Sequence, residues 1–186
     1  KPALMLALTE TPFRFVEVDL PGGEQTGPAY RGQNVFGKVP MLTHGDIAIR
    51  QSGTILLYLA SQTGRFGSSG PTSRLQISEW MFFEQERLFV GVGRSRFHRK
   101  VAPADPAVLD WLALVGNDAL NTLEAQLGQT DYLTGAEPTI ADIACYCYAR
   151  LAEEGEFDMS TRAATVAWRQ RMEALPGWAP PASLLG

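Results

Sequence analysis

The chain has 186 residues, enough for one domain or two small ones with a buried core. It is 45% hydrophobic and 19% charged, the make-up of a globular protein, and no apolar run approaches the length of a membrane span. A net charge of −4 and a pI near 5.2 argue against a general nucleic-acid binder.

Residues 2–9 read as a helix with Pro2 in its first turn, and Thr11-Pro12 ends it. Phe13 to Leu20 (FRFVEVDL) is rich in β-forming residues and predicts a strand buried on both faces. Pro21 to Asn34 is polar and Gly-rich, a long loop or a loosely helical connection. Met41 to His44 and Ile47 to Arg50 predict two short strands joined by a two-residue turn at Gly45-Asp46. Gln51-Ser52 then opens an apolar helix over Ile55 to Ala60. A polar pair at a helix start is suited to an anion, because unpaired N–H groups and the positive dipole end meet there. The order helix, strand, connection, hairpin, helix asks for one more strand, parallel to residues 13–20. The chain opens on Lys1 rather than Met, so that strand is expected ahead of Lys1.

Residues 63–73 (TGRFGSSGPTS) have linker composition, and strand signals stop there. From Arg74 the pattern is helical, with Ile77, Trp80, Met81, Glu84 and Leu88 on one stripe. The prolines between Ala102 and Ala107 break it. A second long helix is predicted over Val108 to Leu127, stopped by Gly128. Thr139-Ile140-Ala141-Asp142 after Pro138 matches a helix-capping pattern with Asp in place of the usual Glu. A last helix is predicted from about Thr161 to Leu175, closed by Pro176 and the tail GWAPPASLLG. The chain thus divides into a small α/β unit (1–62), a linker (63–73) and an all-helical unit (74–186). Cys145 and Cys147 lie two apart on a helix and point to different sides, which suits buried free thiols rather than a redox pair or a zinc site. No His/Cys/carboxylate cluster has metal spacing, so no metal is expected.

Three motifs in register carry a family resemblance. Asn34 with Gly37-Lys38-Val39-Pro40-Met41-Leu42 resembles the Asn-Pro-x-Gly-x-Val-Pro-x-Leu run of the soluble glutathione transferases, bacterial members in particular. Gln51-Ser52 with Ile55 and Tyr58-Leu59-Ala60 resembles their Glu/Gln-Ser…Ile…Tyr-Leu-Ala, and Tyr132 to Gly135 with Thr139 to Asp142 resembles their capping segment. The resemblance implies a thioredoxin-like N-terminal domain, here without its first strand, and an all-α C-terminal domain. It also implies a homodimer, a cytoplasmic location, and glutathione as co-substrate in detoxification.

It further implies roles for particular residues. The Val39–Pro40 bond would be cis, leaving the Val39 backbone to pair with the cysteinyl part of glutathione as an added strand does; the residues alone suit an ordinary trans proline at a strand start. Ser52 would hold the γ-glutamyl carboxylate through its hydroxyl and N–H, and Gln51 the same end through its amide, while plain capping by Ser52 is compatible. Lys38 could neutralise the glycyl carboxylate, or be a solvated lysine. Trp80, Phe83, Glu84, Arg87 and Arg96 are candidates for a pocket holding a small, mostly apolar electrophile. Glu84 interrupts an apolar stripe and needs a partner, which the basic run Arg94, Arg96, Arg99 and Lys100 could supply; that run also suits an anionic group, or a solvated basic helix end. The thiol-activating Tyr, Ser or Cys of the family belongs to a loop expected before Lys1. The implied activity is conjugation of glutathione thiolate to electrophiles. The alternatives are a glutathione-dependent disulfide reductase or peroxidase, or a non-catalytic binding module of the same fold.

Overall fold

The computed structural model describes residues 1–184; Leu185 and Gly186, the end of the predicted tail, lie outside the described residues. Helix α1 spans Pro2–Leu8 and buries Leu4, Met5, Leu6 and Leu8. A 3₁₀ turn at Glu24–Thr26 leads into α2, Pro28–Gln33, so the predicted connection is partly helical. Strands β1 (Met41–His44) and β2 (Ile47–Arg50) pair antiparallel with His44 opposite Ile47, which confirms the hairpin. Gly45 takes φ +57 in the turn, the conformation for which glycine is suited. Helix α3 follows immediately, Ser52–Thr63, and ends at Gly64 in the left-handed conformation.

Residues 13–20 do not form the predicted strand, and Phe13, Phe15, Val16 and Leu20 are exposed. A strand exists only with a ladder partner, and among the described residues the sheet is the β1–β2 pair alone. The β propensity of FRFVEVDL is therefore not expressed as a paired, buried strand.

Beyond Gly64 the chain is helical. Helix α4 (Pro71–Phe83) starts at a proline in its first turn, three residues ahead of Arg74, so the linker is shorter than its composition suggests. It runs into a π-helical segment, Glu84–Gly93, and then α5, Arg94–Lys100. Helix α6 (Pro106–Leu127) crosses the π segment at Gly91 and Gly116: a Cβ on Gly91 would stand 2.3 Å from the Gly116 Cα. Helices α7 (Ile140–Ala149), α8 (Ala163–Glu173) and α9 (Pro181–Leu184) complete the order. Buried side chains of α1 and α3 join those of α4, α6, α7 and α8 in one apolar cluster, so the two units share a core. Ile140 N–H also donates to the Phe66 carbonyl at 2.9 Å, tying the linker to the start of α7.

Two carboxylates hold helix starts in the second unit. Asp142, fully buried, accepts from the N–H groups of Leu133 (2.9 Å) and Thr139 (2.9 Å), the Thr139 hydroxyl (3.2 Å) and the Trp168 indole N–H (3.0 Å). The predicted capping box is thus present, with Thr139 Oγ1 accepting from Ala141 N–H. Glu124 on α6 caps α8 from outside, accepting from the N–H groups of Ala164 and Thr165 and from the Thr165 hydroxyl at 2.8–2.9 Å. Partial burial opposes its ionisation, but these three bonds and nearby Arg162 hold the carboxyl below its ordinary value of 4.5. A depressed folded pKa contributes stability that is present above the ordinary value and lost as pH falls through the folded one. Glu124→Gln is therefore expected to lower the melting temperature near neutrality and to lose less than wild type between about pH 6 and about pH 3. Parallel melting curves in acid for the two proteins would contradict the assignment.

Candidate functional site

The loop before β1 is built by α2 and by Asn34. The Tyr30 hydroxyl donates to the Lys38 carbonyl at 3.0 Å, and Asn34 Nδ2 donates to the same oxygen at 2.5 Å. Asn34 Oδ1 accepts the Phe36 N–H and the Asn34 carbonyl accepts that of Gly37. Asn34 and Tyr30 are buried, so the loop is pinned from below. It delivers a cis Val39–Pro40 bond at the mouth of β1. Val39 is exposed, and its backbone N–H and C=O have no partner among the described residues. Both groups are free to take a ligand's backbone. Lys38 is exposed beside it, with no ion pair among the described residues.

The second half of the site is the start of α3. Gln51, its N-cap, sits at φ 67 and ψ 123, a conformation a non-glycine residue rarely takes. The N–H groups of Ser52, Gly53 and Thr54 have no protein partner among the described residues. Three free donors and the positive helix end suit a carboxylate. Gly53 lets this turn lie close to α4, since a Cβ there would stand 3.1 Å from Met81 Cε. The backbone at Gln51 is strained by roughly 1–3 kcal/mol. Gln51→Gly is expected to raise the unfolding free energy by about 1 kcal/mol while weakening ligand binding. Denaturant titration checks the first effect, and a drop in stability would contradict it.

Of the five candidates for the second-substrate pocket, Trp80 and Phe83 are brought together, while Arg87, Arg96 and Glu84 are engaged elsewhere. Trp80 and Phe83 pack edge to face at 5.1 Å and line a cavity of about 380 Å³ with Gln76, Gln126 and Leu133, a lining that includes none of Val39, Gln51 or Ser52. Arg87 is exposed and pairs with Asp118 at 3.4 Å, and Arg96 pairs with Glu154 at 2.7 Å. Glu84 is buried, as the stripe implied, but its partner is none of the α5 cations. Lys1 Nζ lies 2.7 Å from Glu84 Oε1, and Gln85 Nε2 donates to Glu84 Oε2 at 2.7 Å. Among the α5 cations, Arg96 pairs with Glu154, Arg99 reaches Glu156 and the Gly155 carbonyl, and Arg94 lies over the Phe89 ring.

Lys1 is the residue that sequence reasoning missed. Its ammonium also donates to Ser52 Oγ in a long contact of 3.5 Å and lies 4.4 Å from the centroid of the Tyr148 ring. One buried cation thus touches α3, the π segment and α7. Its only signal was the unpaired acid at position 84, which demanded a cation without saying which. Cys145 is buried, with its thiol donating to the Trp80 carbonyl at 3.8 Å, and burial pushes that thiol well above its ordinary pKa. Cys147 is half-buried and free.

A two-part molecule with an exposed backbone edge beside a cis proline and an anion-ready helix start defines a thioredoxin-like domain joined to a helical one. Comparison with known proteins agrees. The glutathione S-transferase N-terminal domain matches residues 1–61, and the C-terminal domain of the same family matches residues 117–179. A glutathione S-transferase crystal structure from Pseudomonas fluorescens superposes with a TM-score of 0.91 at 35% identity, covering 98% of this chain and 91% of that one. One from Xanthobacter autotrophicus gives 0.90 at 33%, with the same coverage. The disulfide-bond oxidoreductase YfcG of Escherichia coli is 26% identical over 184 residues, 95% of this chain and 86% of that protein. The chain belongs to the glutathione S-transferase family.

Proposed function

We propose that the protein binds glutathione between Val39 and the start of α3 and adds its thiolate to a small, mostly apolar electrophile. The observation that carries this reading is the pairing of unpartnered donors: the free backbone of Val39 after the pinned loop, and the free N–H groups of Ser52, Gly53 and Thr54. In it, Val39 aligns the cysteinyl backbone, Ser52 and Gln51 hold the γ-glutamyl end, and Lys38 faces the glycyl carboxylate. The thiol proton leaves to solvent, the sulfur forms a bond to carbon, and the electrophile's leaving group departs. Holding both reactants in place supplies the proximity contribution. No residue of this chain is assigned to thiol activation.

A homodimer and a cytoplasmic location are part of the same reading. Leu57 on α3 and Leu75 and Phe82 on α4 are exposed apolar side chains that suit contact with a second copy, and among the described residues no helix is long and apolar enough to cross a membrane. The likeness to a disulfide-bond oxidoreductase favours a second reading, in which glutathione reduces a disulfide. Parallel assays decide between them: conjugation of 1-chloro-2,4-dinitrobenzene, and reduction of hydroxyethyl disulfide, each with glutathione. Conjugation above the uncatalysed rate supports the first reading, disulfide reduction alone the second. Neither activity in a protein that binds glutathione would point to a binding module.

A further inference from the structure

Lys1 and Glu84 form an ion pair with only 7% and 1% of their side chains exposed. Such a pair is a weak source of stability, because desolvation offsets most of the attraction. Its position is more informative. The third group on the cation is Ser52 Oγ, at the head of the proposed carboxylate pocket. An ammonium only donates, so the Ser52 oxygen is the acceptor in that contact. The single Ser52 proton is then left to point elsewhere. The free N–H groups of Ser52, Gly53 and Thr54 leave an acceptor as the fitting occupant there. Glu84 holds the ammonium from one side at 2.7 Å, and the Tyr148 ring flanks it at 4.4 Å. Gln85 occupies the other Glu84 oxygen, which limits rotation of the carboxylate.

We propose that Glu84 is a positioning residue for the anion pocket: through Lys1 it fixes the Ser52 hydroxyl as a donor and places a positive charge behind it. The helical domain thereby sets the preference of the N-terminal domain for a ligand with a free α-carboxylate at its γ-glutamyl end. This rests on the glutathione reading above and adds a residue and a source of selectivity to it. Neither Lys1 nor Glu84 needs to touch the ligand.

The test compares glutathione with γ-aminobutyryl-cysteinyl-glycine, which lacks only that carboxylate. The ratio of their dissociation constants isolates the carboxylate contact, whereas loosened packing weakens both ligands together. Calorimetry on wild type, Glu84→Gln, and the double variant Lys1→Met/Glu84→Gln gives three ratios. The double variant removes both charges, so it leaves no unpaired buried ion should the single one unfold. The ratio is expected to fall by about tenfold in both variants, the size of one charge-assisted hydrogen bond. In a Ser52→Ala background the Glu84 substitution should change the ratio no further. An unchanged ratio in folded variants, or equal weakening of both ligands, would overturn the proposal while leaving glutathione binding intact. Failure of wild type to bind glutathione would overturn the functional reading itself, and this inference with it.

Discussion

Asp142→Ala is expected to lower the unfolding free energy by about 3–5 kcal/mol, a large share of the stability of a protein this size. The carboxylate serves four donors at once: two backbone N–H groups, one hydroxyl and the indole of Trp168, a side chain with no solvent exposure. Each buried donor left without an acceptor costs about 1–3 kcal/mol. The loss is not confined to α7, because Leu133 lies in the segment before it and Trp168 on α8. Asp142→Asn keeps the shape and one acceptor oxygen, so its loss should be smaller. Burial is the largest influence on this carboxyl and, against those four donors, leaves it above its ordinary pKa. Urea titration of both variants checks the prediction, and equal loss for Ala and Asn would contradict it, because the oxygen that Asn retains would then contribute nothing.

Glu84→Ala is the second large effect, at about 3–5 kcal/mol. It strands the Lys1 ammonium among Tyr148, Ser52 and apolar neighbours. Removing both charges, as in Lys1→Met/Glu84→Gln, should recover most of that loss, since a neutral pair of similar volume needs no desolvation. The double-variant cycle is the informative form of the experiment. Additive losses would mean that the two residues act separately, against the 2.7 Å contact. The same pair bears on the domain arrangement. Lys1 belongs to the N-terminal unit and Glu84 to the helical one, so loss of the pair should also loosen the junction that α1 and α3 make with α7.

What was legible in the sequence follows from the range of the interactions involved. The β1–β2 hairpin, the start of α3 and the Asp142 box are set by neighbours within a few positions, and each stands where spacing puts it. The Val39–Pro40 bond was legible only through the family resemblance, because the residues by themselves suit a trans proline equally well. The FRFVEVDL segment failed because strand formation depends on a partner elsewhere, which propensity cannot supply. Glu84 shows the same limit. Its burial was readable from an interrupted apolar stripe, but its partner lies 83 positions away and was sought among cations nearby in sequence. The separation of Arg87 and Arg96 from the Trp80–Phe83 pair has a related cause. Helical spacing shows which residues share a face, and the neighbouring helices decide what that face meets. Tyr30 and Asn34, which pin the Val39 loop through one carbonyl, carried no periodic signal that would mark them as a pair.

Calorimetric titration of wild type and Ser52→Ala with glutathione tests the central claim most directly. The account predicts saturable one-site binding to wild type and a dissociation constant raised by about tenfold or more in Ser52→Ala, as expected for loss of a hydrogen bond to a charged group. No binding to folded wild type, or equal affinity in the two proteins, would contradict it.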